Sequence, residues 1–440
     1  MALPPSSNSR SSGPSKSPPL RELSSRQVSW IGAGYLLTLS SLPGQTVFIA
    51  QFNAPIREAF SLSHGEFGGL YTIATLASSA CLIWAGGLAD RFAPRLLGLV
   101  CIGFLALTML FISQVTSIVA LGIALFGLRL FGQGMLSHIA MTAIARWFNR
   151  FRGRALSLAQ MGMPTGEAVL PFLITIAIVA MGWRQVWLVA TVVLVIVMMP
   201  LIAFLLRDPP DGKRAIAAGI VNPDGENSTK PAGEYWTRAR VLQDPLFYMM
   251  VAGLMGPAAI GTLYIFNQAH LADIKGWDIM VFTAFFPVLS LSVVAASVIS
   301  GMLVDRFGAW RIVPFLLIPE GLGTIALGVF DSIWTIPGFF IAFGMSAGMM
   351  SPVVGALWAE IYGTVHMGKI RALATSAMVL ASAIGPGFAG VLIDFGFNLE
   401  RQSFIYAAYC FAVTGVFFAS RGWFKIRVQA MDRERANLLT

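Results

Sequence analysis

The chain has 440 residues, of which 56% are hydrophobic and only 12% charged, with a net charge of +9. An ordinary soluble protein carries about 25% charged residues, so the composition excludes a single soluble domain. The basic excess does not point to nucleic acid, because the basic residues fall between apolar runs, where membrane topology accounts for them.

In chain order, residues 1–28 are rich in Ser and Pro and lack the apolar core of a signal peptide, so they are expected to be a disordered tail. Apolar runs near twenty residues follow, long enough to cross a hydrocarbon layer of roughly 30 Å. They place spans near 29–53, 66–89, 96–114, 117–145, 155–181 and 186–206, and again near 246–273, 279–303, 312–330, 334–361, 372–393 and 403–421. Backbone in lipid must satisfy its own hydrogen bonds, so the spans are expected to be helices. The fold class that follows is an all-α polytopic membrane protein of twelve transmembrane helices. Its divisions are an N-tail (1–28), a six-helix bundle (29–206), a polar Pro- and Gly-rich linker (207–245), a second six-helix bundle (246–421) and a C-tail (422–440).

Basic residues orient these spans. Of the 30 Lys and Arg, 25 lie in the two tails, the linker and alternate loops. Both termini and the linker are therefore expected to be cytoplasmic. The sequon Asn227-Ser228-Thr229 lies in that linker and is a chance match.

The halves echo one another. GGLADRF at 86–92 returns as GMLVDRF at 301–307, Phe52-Asn53 as Phe266-Asn267, and Arg154-Ala155-Leu156 as Arg371-Ala372-Leu373. The offset is nearly constant and the topological places are equivalent, which argues for internal duplication. Parallel six-span halves are a transporter design with the substrate held between them near the midplane.

Gly86, Leu88, Asp90, Arg91 and Arg95, and again Gly301, Leu303, Asp305, Arg306, Gly308 and Arg311, make the chain resemble the major facilitator superfamily over residues 28–422. In that family the motif reads Gly-x-Leu-x-Asp-Arg-x-Gly-x-x-Arg; here Ala93 replaces a glycine and Arg95 comes one place early. The resemblance implies two pseudo-symmetric six-helix bundles. It also implies a latch in which Asp90 meets the start of the eleventh span and Asp305 the start of the fifth when the cytoplasmic side is closed. A carboxylate facing the unpaired amides of a helix N-terminus is the physical basis of such a latch.

Polar groups inside the spans are the candidate substrate and proton-coupling residues. Arg129 sits mid-membrane in the fourth span, where insertion costs roughly 2.5–3.5 kcal/mol unless a partner or wet cavity receives it. Gln133 and Ser137 continue its stripe. Glu167, at comparable depth in the fifth span, is expected near enough to Arg129 to exchange partners with a proton or an anion; a static pair joining two helices is the other expectation. Pro43-Gly44-Gln45 and Gly256-Pro257 should break the first and seventh spans, freeing backbone to line a cavity. Beyond them Gln45, Phe48 and Phe52 share a face, as do Tyr264 and Gln268, with Asn53, Asn267 and His270 close by. Glu320, midway along the ninth span, has no role in this scheme, and Glu360 reads as an interfacial charge.

Cys81, Cys101 and Cys410 have no paired spacing and the four histidines no ligand spacing, so no metal or cofactor is expected. No Gly-x-x-x-x-Gly-Lys-Ser/Thr motif is present, so ATP is not the driver. Arg146-Trp147-Phe148 with Arg152-Gly153-Arg154-Ala155 is similar to monocarboxylate and oxalate–formate carriers, although the eighth and eleventh spans lack their substrate-binding cation. Gly162-x-x-x-Gly166 lacks the proline of the drug–proton antiporter motif. The expected activity is therefore uptake of a small organic solute, a monocarboxylate or a vitamin-like aromatic, with a proton, by a monomer in the cell membrane, bacterial inner membrane first. Drug or metabolite efflux and a non-transporting receptor are the alternatives; no nucleophile–base set suggests an enzyme.

Overall fold

The computed structural model describes residues 24–148, 152–207, 236–363 and 367–437, and among them every regular element is a helix. Eleven helices are long and apolar enough to span a membrane: His64–Ala85, Pro94–Gln114, Ile118–Trp147, Arg152–Met181, Trp183–Leu205, Pro245–Phe266, Ile279–Phe307, Ala309–Val329, Thr335–Tyr362, Leu373–Asp394 and Leu399–Ala419. The twelfth is the first span, broken into Ser25–Ser40, a 3-10 turn at Leu42–Gly44, and Thr46–Ala50. Pro43 causes that break, since it has no amide to continue the helix and its ring crowds the preceding turn.

The seventh span differs from expectation. It runs unbroken through Pro257 and stops at Phe266, and a separate helix, Gln268–Lys275, follows Asn267. Most of its residues are buried against neighbouring helices, which hold the helix together around the one amide that Pro257 removes. A last helix, Arg421–Asn437, extends beyond the twelfth span.

Each half has its own apolar core, one built on Trp30, Phe67, Ile102 and Trp187, the other on Phe247, Phe286, Phe340 and Trp358. The cores trade members only where the first and seventh spans meet: Val47 and Ala50 join the second core and Phe266 the first. The fourth and tenth spans each widen into a π-helical stretch, Leu128–Leu136 and Met350–Val354, at equivalent places in the two halves. A third such stretch, Leu194–Met198, lies in the sixth span, and bulges of this kind are frequent at functional sites.

Contacts between halves concentrate at the end away from the termini. Asn53 Nδ2 donates to the Phe266 carbonyl at 2.7 Å, and Thr72 Oγ1 to the Ala383 carbonyl at 2.7 Å. Between these, the second and eleventh spans cross backbone to backbone, and a Cβ on Gly68 would lie 2.8 Å from Gly387 Cα. Toward the terminal end Cys81, Ile83 and Trp84 on the second span and Thr375, Ser376 and Leu380 on the eleventh are exposed. The hydrogen bonds that join the halves among the described residues lie toward the far end.

Candidate functional site

A cavity of about 330 Å³ lies between the halves at mid-height. The break in the first span delivers Gln45 and Thr46 to it: Gln45 has extended backbone (φ −81, ψ 150) and its amide donates to Ser41 Oγ at 3.3 Å. Gln133 comes from the π stretch of the fourth span and Glu167 from the fifth; Ser290, Ser382, Phe286 and Phe343 face them from the second half. The first span reaches this depth only because Gly44 and Gly132 allow two backbones to touch: a Cβ on Gly44 would lie 2.8 Å from Gly132 Cα. Gly162 and Gly166 similarly let the fifth span press on the first, at the Tyr35 carbonyl and at Leu42.

Glu167 is the single ionisable side chain among the residues lining this cavity. It is half-buried, and among the described residues no hydrogen bond or ion pair reaches its carboxylate. Arg129 is not its partner. That guanidinium, 2% exposed, donates from Nη1 to the Gly44 carbonyl at 3.0 Å and toward Thr46 Oγ1 at 3.4 Å, and lies 5.1 Å from the centre of the Tyr71 ring. Thr46 and Tyr71 are themselves joined at 2.6 Å. The carbonyl that the helix break exposes thus receives the buried cation, a polar network that pins the first span to the fourth.

The remaining expected contacts divide. Gln45 and Gln133 line the central cavity. Asn53 instead bridges the halves and accepts from Arg57 Nε at 3.1 Å. Tyr264 is buried in the second half with its hydroxyl on Ser403, and Asn267 bonds the Leu263 carbonyl of its own span. Phe52 stacks on Trp187 and Phe48 packs against it at a tilt inside the first half, so the cavity's aromatic wall comes from Phe286 and Phe343. Gln268 and His270 line a second cavity at the far end, about 450 Å³, with Arg57 and His64. The helix carrying His270 lies beyond the seventh span, and there desolvation first and Arg57 second lower the imidazole's pKa, against Asp273.

The duplicated loops are anchored within their own halves. In the first copy Gly86 and Ala89 offer carbonyls to His138 Nε2 (3.1 Å) and Arg146 Nη1 (3.0 Å) of the fourth span. In the second, Glu360 of the tenth span accepts the amides of Ala309 (2.8 Å) and Trp310 (3.1 Å), just past Gly308 at φ +82. Glu360 is therefore a helix cap. Gly301, Asp305, Arg306 and Arg311 belong to this rim; Arg311 donates to the Phe307 carbonyl at 3.1 Å. Arg91 and Arg95 are exposed, and the Asp90 side chain lies outside the described residues.

Sequence reasoning missed Asp394. Its carboxylate accepts from Ser63 Oγ (2.7 Å) and from the amides of His64 (3.1 Å) and Gly65 (2.8 Å), tying the end of the eleventh span to the start of the second. The signal available was Ser63 ahead of a helix start, with Glu66 completing a capping box. Glu320 is fully buried against Ser346, and neither carboxylate oxygen has a partner among the described residues.

Residues 34–386 and 289–436 match the sequence profile of the Major Facilitator Superfamily. The chain is 24% identical over 354 residues to the oxalate:formate antiporter of Oxalobacter formigenes, covering 78% of this chain and 80% of that one. It is 21% identical over 397 residues to an agnestins efflux protein of Paecilomyces divaricatus, covering 86% and 84%. Among solved structures, a bacterial homologue of the human lysosomal transporter Spinster, inward-facing and unoccupied, superposes with a TM-score of 0.70 at 16% identity over 94% of this chain and 99% of that one.

Proposed function

Since the chain belongs to the major facilitator superfamily, and is a multi-pass membrane transporter rather than an enzyme, we propose that it takes up a small organic acid together with a proton. The observation that carries this reading is Glu167, the lone ionisable group on the central cavity wall and one without a partner among the described residues. Two like charges 4 Å apart repel by about 4 kcal/mol at an effective dielectric of 20. An anion can share the cavity only after Glu167 has taken a proton, so substrate and proton travel together. Gln45, Thr46, Gln133, Ser290 and Ser382 then hydrogen-bond the substrate carboxylate, and Phe286 and Phe343 pack on its carbon skeleton, which suits an aromatic, vitamin-like acid as well as a short monocarboxylate. The similarity to an oxalate:formate antiporter supports the organic-acid class.

We read the terminal end as the open one and, from the bias of basic residues, as facing the cytoplasm of a cell membrane, with the far end closed toward the outside. In the alternate state the rim residues Gly86, Asp90, Arg91 and Arg95, with Gly301, Asp305, Arg306 and Arg311, close the cytoplasmic end against the starts of the eleventh and fifth spans. A single chain suffices for this cycle, since each bundle has its own core.

Reconstituted protein tests the reading by counterflow of formate, oxalate, lactate and nicotinate, with and without a pH gradient. Glu167→Gln mimics the protonated carboxyl, so it should keep counterflow and lose gradient-driven accumulation. Wild-type accumulation indifferent to the pH gradient overturns the coupling.

A second reading, efflux of a hydrophobic cation in exchange for protons, is favoured by the acidic character of that same wall and by the similarity to an efflux protein. Under it Glu167→Gln abolishes tetraphenylphosphonium binding; under uptake of an acid it does not.

A further inference from the structure

The far-end cavity is separated from the central one by a single layer. Val47 lines the central cavity and Gln51, one helical turn on, the outer one; Ile265 and Gln268 repeat the relation in the second half. The layer holds the seam shut while leaving a chamber of about 450 Å³ outside it.

The chamber's chemistry is unlike that of the central cavity. Arg57 supplies a permanent cation, its Nε on Asn53 Oδ1 at 3.1 Å and its guanidinium in no ion pair among the described residues. Gln268 is 1% exposed, yet both atoms of its amide lack a partner among the described residues, as does His270 Nε2. His64 and His270 come from opposite halves, with ring centroids 4.6 Å apart. Asp394 attracts Arg57 across the seam without forming an ion pair with it, being engaged by Ser63 and two amides, and Asp273 is exposed at the rim where water screens it. Buried amides of this kind go unpartnered at a high cost to a fold, which makes them groups awaiting a ligand. A guanidinium fork beside amide and imidazole donors matches a carboxylate, while the amide oxygen of Gln268 accepts from a neighbouring hydroxyl.

We propose that this outer chamber is a second binding site, taking the carboxylate of a small organic acid at the seam between the halves before it reaches the central cavity. The proposal rests on the acid-uptake reading for the class of ligand, and its site is distinct from the one containing Glu167. A bound acid would touch both halves and so sense whether the far end is closed.

The chain has four histidines, two of them in this chamber, which gives a local readout. Full-length protein labelled at histidine, in nanodiscs, is titrated with sodium lactate and sodium oxalate, and with sodium chloride and sodium sulfate at equal ionic strength. Resonances assigned to His64 and His270 through His64→Gln and His270→Gln should shift saturably with the organic acids and not with the inorganic salts. Arg57→Gln and the uncharged change Gln268→Leu should each weaken the response by about tenfold, because each removes carboxylate donors. Glu167→Gln should leave it intact. Silent outer histidines, an equal response to chloride or sulfate, or a response that survives Arg57→Gln overturns the proposal. Failure of the uptake reading would show differently, as absent counterflow with the histidine response present.

Discussion

Asp394 accepts a hydrogen bond from Ser63 across the seam at 2.7 Å and at the same time caps the amides that open the second span. A carboxylate at a helix N-terminus is the device expected for the loops carrying Asp90 and Asp305, and the structure uses it at the opposite end of the bundle. Because Asp394 is exposed, the contact is worth about 1 kcal/mol, enough to shift the ratio of closed to open far ends roughly fivefold. In a cysteine-free background with Thr262→Cys, on the wall of the central cavity behind the closed seam, Asp394→Ala should raise several-fold the rate of labelling by an impermeant maleimide added from the far side. An unchanged rate means that the cap carries no closure energy.

Steric closure should prove stronger than that hydrogen bond. A Cβ on Gly68 would meet Gly387 Cα and the Pro386 carbonyl oxygen, both at 2.8 Å. Gly68→Val is expected to hold the far end open and cut counterflow by about tenfold or more while the protein still folds, since each half keeps its own core. Counterflow at the wild-type rate would show that the crossing yields.

Within the second half, the Lys275 side chain is 1% exposed and binds Asp331 at 2.6 Å and Glu400 at 2.9 Å. Removing both carboxylates leaves a buried ammonium unpaired, whereas removing the lysine leaves carboxylates that reach water. Asp331→Asn with Glu400→Gln should therefore destabilise the protein by about 2 kcal/mol, more than Lys275→Met does. Thermal unfolding of the detergent-solubilised variants gives the order; the reverse order refutes it.

The closed far end should weaken in acid. His270 has its pKa lowered from 6.5, first by desolvation and then by Arg57, with Asp273 opposing and His64 facing it. A base whose pKa falls on closure stays neutral in the closed state, so closure is fully stable above pH 6.5 and loses stability as pH falls below it. Labelling of Thr262→Cys from the far side should rise below that value, and His270→Gln should flatten the rise. A pH-independent wild type would exclude the histidine.

Arg129 and Glu167 should separate by phenotype. Arg129 holds the Gly44 carbonyl, so Arg129→Gln removes a buried bond to a charged donor and should cost about 1.5–3 kcal/mol, read as lower yield and lower unfolding temperature. Glu167→Gln should leave unfolding temperature near wild type and alter pH-driven accumulation alone. Equal loss of stability in both would mean that Glu167 is structural.

Several features needed only the order of residues. Apolar runs of span length dictated helices crossing a bilayer, and the recurrence of Asp-Arg-Phe, Phe-Asn and Arg-Ala-Leu dictated two related halves. Pro43 dictated the break in the first span, because a proline's missing amide is a local fact. Pro257 carries the same local fact and yet the seventh span runs on, because packing against neighbouring helices outweighs it. Which way each polar side chain faces was decided only in the assembled molecule. Lipid and protein core are equally apolar, so a membrane helix bears little sequence mark of its inward face. Its rotation follows from where glycines let backbones meet: Gly44 on Gly132 leaves Gln45 on the cavity and sends Phe48 to Trp187. For the same reason Arg129 and Glu167, at similar depth in neighbouring spans, end on different surfaces, one on a freed carbonyl and the other facing the space between the halves.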